Sequence, residues 1–318
     1  MTPSPATSPP WQIIEPDVAA ALARSAEPLE LLAQGEAPAV VLRGAFPAEA
    51  CQQLMRRLVD EQLLYDPTQP IPDKFLQQSI PEGYYREGRK AMGEAVSSAQ
   101  QTGKRRIDIG TSLGYRGSDR EDFFRHSAET HRLFARLFPT QDVAQNPIAL
   151  LYERLGQLAG RRRVVTAYET EADGSQRREY GPAIIRAHYG GYTYAPHFDS
   201  VRLREQRDDY AVHAFEHQFA GVLVLQNARD KQRTAQSIIH RCLWTPDVDP
   251  CLRERTFHEY AREHRIEQVE VSLEPGDLYF FNTRAIHEVP GVDGALPRVV
   301  LATFIGYDQD HEEVFVWS

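Results

Sequence analysis

The alternation of hydrophobic and polar positions changes character halfway along the chain. In the first half, apolar residues recur at three- and four-residue steps in "EPDVAAALARSAEPLELLAQ", in "PAEACQQLMRRLVDEQLL" opening at Pro47, and over 118–138 and 147–160. That period sets one face of a helix against a core, so helices are expected at each. Ser118 with Glu121 predicts a capping box at the third. A β-branched run, "PAVVLRGAF", separates the first two. From Val164 onward the apolar runs shorten and turn residues divide them. Strands are expected near 182–189, 192–196, 220–226, 236–243, 267–273, 277–281, 285–289, 298–306 and 312–317, with one helix at 250–264. Short strands following helices predict an α+β protein, a β-sandwich or jelly roll buttressed by helices.

The region between the two textures, 66 to about 118, is punctuated by Pro and Gly and weakly periodic, with Phe75, Tyr84, Tyr85 and Tyr115 scattered through it. Such segments are lids or binding loops as often as loose surface excursions, and 75–115 is the candidate lid. The opening "MTPSPATSPPWQ" is rich in Pro, Ser and Thr. Residues 1–12 are expected to be disordered, and 13–318 to form one domain, helical over about 13–162 and jelly-roll over about 163–318.

Charge and composition narrow the partners. A net charge of −9 disfavours nucleic acid, and the short runs "GKRR" and "RRR" are read as solvated loops. The opening lacks the apolar stretch of a signal peptide, and no run approaches the roughly 20 apolar residues of a membrane span. Three widely spaced cysteines, Cys51, Cys242 and Cys251, fit a reducing cytoplasm better than a disulfide framework. The expected partner is a small molecule, with neither membrane nor nucleic acid involved.

In "GGYTYAPHFDS", His197 and Asp199 stand two apart on a strand-like run, so their side chains share a face and can converge on one ion. The pair alone is a weak signal, because His311 and Glu313 repeat it in "DQDHEEVF". His311, however, has no histidine after it. His197 has His287, on the strand after the turn Pro275-Gly276-Asp277. Two histidines and one carboxylate leave three adjacent coordination positions open, the facial triad of non-haem Fe(II) oxygenases. Arg298, past the turn "GVDGALP", opens an apolar strand and would present its planar fork to a carboxylate. The remaining histidines receive ordinary readings. His213 and His217 lack the HExxH order, and His188 lies on the strand before the site. His126, His131, His240, His258 and His264 have no partner spacing.

At these residues the chain resembles the Fe(II)/2-oxoglutarate-dependent oxygenases, and in particular is similar to the cyanobacterial hapalindole/welwitindolinone-type aliphatic halogenases. The likeness runs from "VVLRGAFP" through "PAIIRAHYGG", "CLWTP" and "PGDLYFFN" to "HEVPGVDGALPR" and "VFVWS". It implies a double-stranded β-helix with the N-terminal helices packed on one sheet. It also implies Fe(II) on His197, Asp199 and His287, 2-oxoglutarate on Arg298, and O2 as the oxidant. The implied reaction is hydroxylation of an unactivated C–H bond in a small, natural-product-like substrate, releasing succinate and CO2; desaturation or oxidative cyclisation are alternatives within it. Two departures matter. The halogenases carry glycine where Asp199 stands, and that gap admits chloride, so the carboxylate implies a hydroxylase-like relative and not a halogenase. Many relatives also place Ser or Thr two residues after the arginine; Val300 stands there, and Arg186 is the candidate to assist. A cupin-like metalloenzyme that does not use 2-oxoglutarate would not need Arg298. A non-catalytic metal-binding jelly roll would more often close its site with four ligands.

Overall fold

The computed structural model describes residues 11–15, 28–77, 105–160, 162–170 and 177–318. Residues 1–10, most of the first expected helix and the middle of the candidate lid, 78–104, lie outside the described residues. Among the described residues the strands begin with β1 (Val40–Leu42), β2 (Arg105–Ile109), β3 (Arg163–Thr166), β4 (Tyr168–Thr170), β5 (Arg177–Glu179), β6 (Ile184–Tyr189) and β7 (Tyr194–His197). They continue with β8 (His217–Gln226), β9 (Ser237–Leu243), β10 (Gln268–Val271), β11 (Leu278–Asn282), β12 (Ala285–Val289), β13 (Arg298–Tyr307) and β14 (Glu313–Trp317).

Antiparallel β1, β11, β8 and β13 form the centre of a large sheet. The sheet then forks, because β13 pairs β6 along Arg298–Ala302 and β14 along Phe304–Gly306. β2 extends the first arm and β3 the second. The small sheet runs β10-β9-β12-β7, leaving β7 at an edge, where Pro196 withholds no ladder donor from a central strand.

Period-2 patterning explains how the layers stack. Leu278 and Phe280 of β11, and Val299, Leu301 and Ile305 of β13, face the helices Ala48–Asp60, Arg120–Leu137 and Pro147–Leu158. There they meet Leu54, Leu58, Phe134, Leu151 and Leu155, each contributing roughly 1.5–3 kcal/mol by burial. The alternate residues Tyr279, Phe281 and Val300 face the small sheet and pack with Ile239 and Val271. This is the α+β, double-stranded β-helix architecture with helices on one sheet.

Several local expectations are corrected. Asp119, not Ser118, caps the helix Arg120–Leu137, its side chain accepting from the Asp122 N–H at 3.0 Å. The single helix expected at 250–264 is two, Asp249–Arg253 and Phe257–Glu263, because Arg255 takes the left-handed backbone (φ 62°) between them. The "GKRR" run is not solvated where it is described: Arg105 and Arg106 belong to β2, and Arg106 is buried. In "RRR", Arg162 lies over the Tyr307 ring and Arg163 opens β3 with its side chain exposed.

Candidate metal centre

The ligand set is assembled by one strand pairing. His197, the last residue of β7, is the register partner of His287 on β12, and their ring centroids lie 4.2 Å apart. Phe198 turns away and stacks on Trp244 at 4.5 Å, which brings Asp199 back to the side of His197. Thr283 anchors that return: its carbonyl accepts the Asp199 N–H at 2.9 Å and its hydroxyl donates to the Asp199 carbonyl at 2.8 Å. Asp199 Oδ2 consequently stands 3.7 Å from His197 Nε2 and 3.6 Å from His287 Nε2. One ligand atom from each of the three residues lies within 4.8 Å of the others, close enough to share one ion.

The hydrogen bonds behind the rings prepare them for a metal. His197 Nδ1 sits 2.8 Å from the Ala195 carbonyl, and His287 Nδ1 2.9 Å from the Ala285 carbonyl. A carbonyl only accepts, so each Nδ1 carries the proton and each Nε2 presents a lone pair. Burial, with His287 beside it, pushes the His197 imidazole down to about 3 against the pull of Asp199, which keeps it neutral as a ligand must be. Burial would raise the Asp199 carboxyl. Its partners, with the Arg204 guanidinium donating to Oδ1, outweigh it and hold the group well below the usual carboxylate range. Arg204 belongs to a single π-turn, Val201–Glu205, and donates to Asp199 Oδ1 at 3.0 Å and to the Phe198 carbonyl at 2.9 Å. It leaves Oδ2 to face the imidazoles.

Across the cavity lies an arginine-rich patch of the large sheet. Arg298 is the first residue of β13, buried, paired in register with His188. Among the described residues no carboxylate pairs with it. Arg186, in register with Val300, lines the same cavity. His188 is held well below its usual range by burial and then by Arg298, Arg106 and Arg186, and its Nε2 hydrogen-bonds the Tyr194 hydroxyl at 3.1 Å. It is therefore neutral and adds no positive charge to that patch. Ala220, Val222, Phe281, Val300 and Ala302 supply apolar wall to the cavity.

The structure thus brings together His197, Asp199, His287, Arg298 and Arg186, all lining one cavity. His311 instead pairs with Asp308 at the surface, and His240 is buried against Glu288 at 3.0 Å. Arg204 and Thr283 escaped the sequence reading, and no spacing rule marks either. Arg106 escaped it because a run of basic residues ordinarily signals solvent.

Three ligands on a double-stranded β-helix, with bare Nε2 atoms and a buried guanidinium opposite, define the site class of the Fe(II)/2-oxoglutarate oxygenases. Within it, the chain belongs to the carrier-protein-independent halogenase WelO5 family, whose model matches residues 12–318. Among solved structures the chain is similar to an N-substituted L-amino acid dioxygenase from Burkholderia ambifaria AMMD, at 14% identity, 91% of this chain, 90% of that chain and a TM-score of 0.48. It is also similar to the non-heme alpha ketoglutarate dependent epimerase SnoN from nogalamycin biosynthesis, at 14% identity, 92% and 86% of the two chains and a TM-score of 0.44. No curated protein matches it significantly. Among the described residues, no helix is long and apolar enough to cross a membrane.

Proposed function

We propose that this member of the halogenase family hydroxylates an unactivated C–H bond of a small organic substrate, using Fe(II), 2-oxoglutarate and O2. The observation that carries the reading is Asp199, whose Oδ2 faces both imidazoles where the halogenases of the resemblance have no side chain. His197, Asp199 and His287 would hold the iron. Bound iron, with O2 and the oxidative decarboxylation of 2-oxoglutarate to succinate and CO2, supplies an oxidant able to break an aliphatic C–H bond.

The chain's own residues do the rest. Asp199 would hold the metal where the halogenases of the resemblance leave room for a halide, and its charge would offset part of the metal's. Arg298, buried beside neutral His188, would take the distal carboxylate of 2-oxoglutarate in a charge-assisted pair. The apolar wall excludes water and presents carbon, not polar groups, to the centre. That lining fits a small, mostly hydrophobic molecule.

The test is spectroscopic and chemical. Anaerobic addition of Fe(II) and 2-oxoglutarate is expected to produce the weak visible charge-transfer band of an iron–keto-acid chelate. Admission of O2 in the presence of chloride is expected to yield succinate and no chlorinated product. Iron binding without the band would turn the reading toward a metalloenzyme that does not use 2-oxoglutarate. Absence of iron binding would turn it toward a non-catalytic module.

A further inference from the structure

We infer that Arg186 is a carboxylate-binding residue for the organic substrate, so that the substrate class is hydrophobic carboxylic acids. The inference rests on the oxygenase reading above and deepens it.

Charge at the site is the starting point. Iron, Asp199, 2-oxoglutarate and Arg298 together sum to zero. Arg106 and Asp108 cancel each other in a bidentate pair, Nε to Oδ1 at 2.9 Å and Nη2 to Oδ2 at 2.6 Å. Arg204, behind Asp199, adds positive charge and removes none. With the co-substrate in place, Arg186, which lines the cavity, has among the described residues no anion of its own. Its Nε is buried with no hydrogen-bond partner among the described residues, 4.0 Å from an Asp108 oxygen that Arg106 already holds. A buried donor left unmade is costly, and an anion satisfies it best.

Direction separates Arg186 from Arg298. β6 lies between β2 and β13; Arg298 stands on β13, and Asp108, on β2, is the register partner of Arg186. Because Arg186 reaches toward Asp108 and lies 5.9 Å from the Tyr115 ring, its head leans away from the strand of Arg298. The two guanidiniums therefore address different parts of the cavity, and one carboxylate of 2-oxoglutarate does not need both. Ile184 and Ala302, register partners on the wall beyond Arg186, give apolar surface for the body of the ligand. A molecule held by its carboxylate at Arg186 and packed on that wall would turn a hydrocarbon segment toward the triad.

The experiment uses the full chain with Fe(II) and 2-oxoglutarate and reads succinate release. The probes are short- to medium-chain aliphatic and aryl-substituted monocarboxylic acids, each beside its primary amide. Members of the acid panel are expected to raise succinate release above the substrate-free rate, and the matched amides to do so at least about tenfold less well, which corresponds to roughly 1.4 kcal/mol of recognition. Arg186→Gln is expected to abolish the difference between acid and amide, and Arg186→Lys to keep part of it. The concentration of 2-oxoglutarate needed to form the anaerobic band is expected to move less than about twofold in Arg186→Gln, and more than about a hundredfold in Arg298→Gln. Amides as effective as acids, a panel with no active acid, or a loss of 2-oxoglutarate binding in Arg186→Gln equal to that in Arg298→Gln would each overturn the assignment. Failure of the wild-type band would instead defeat the oxygenase reading itself. The wild-type comparison of acids with amides stands even if a variant does not fold.

Discussion

A carboxylate buried beside two imidazoles keeps its charge because a guanidinium donates to it, and at Asp199 the same charge is what a metal would use. Asp199→Ala is accordingly expected to abolish hydroxylation and to weaken Mn(II) binding, measured calorimetrically in chloride-free buffer, by at least about tenfold. Wild-type hydroxylation in that variant would remove Asp199 from the ligand set. His188 makes a separate prediction. Burial, and after it three arginines, hold its imidazole well below 6.5, so the folded state keeps it neutral while the unfolded chain takes up a proton below that value. The unfolded state then binds more protons, and stability falls as pH falls. Urea unfolding of the metal-free protein is expected to show less stability near pH 5 than near pH 7 from this source. His188→Gln should lessen that dependence, to which His197 also contributes; an unchanged slope would show that His188 titrates normally.

Elements matter here mainly through how they end. The turn before β11 relies on Gly276, which takes φ +98° and whose carbonyl accepts the Phe46 N–H at 3.0 Å. A Cβ at that position would also run into the Phe46 carbonyl oxygen. Gly276→Ala is expected to destabilise the protein by roughly 2 kcal/mol or more in equilibrium denaturation, combining left-handed strain with the clash. A change below about 0.5 kcal/mol would mean that the turn relaxes freely. The π-turn Val201–Glu205 serves a different end. Ser200 caps it by accepting from the Leu203 N–H at 2.9 Å, and the extra residue in its turn brings Arg204 back against Asp199.

At the scale of the molecule, two of the three ligands join β7 to β12 in the small sheet while Arg298 stands on the large one, so ligands filling the site would tie the two layers together. Mn(II) with 2-oxoglutarate, each near a hundred times its dissociation constant, is expected to raise Tm by roughly 5 °C through preferential binding to the folded state, and EDTA to reverse it. No shift with either ligand would mean that the site does not bind them together. The triad was legible along the chain because strand geometry alone puts residues 197 and 199 on one side, and because His287 and Arg298 follow in order on apolar strands. The jelly-roll strands were legible for the same reason, their period and turn residues being local. Arg106, Arg204 and Thr283 were not. Arg204 and Thr283 owe their roles to an irregular turn and to a partner distant in sequence; Arg106 pairs with Asp108 two residues along β2 but stands beside His188 only because β2 pairs β6, which no local pattern records. By itself the sequence determined the strand periods and the order along the chain of the two histidines, the carboxylate and the arginine that meet at the cavity. Only the tertiary structure decided that Arg186 leans toward β2 while Arg298 stands on β13, because side-chain direction across a sheet depends on which strands pair and in what register.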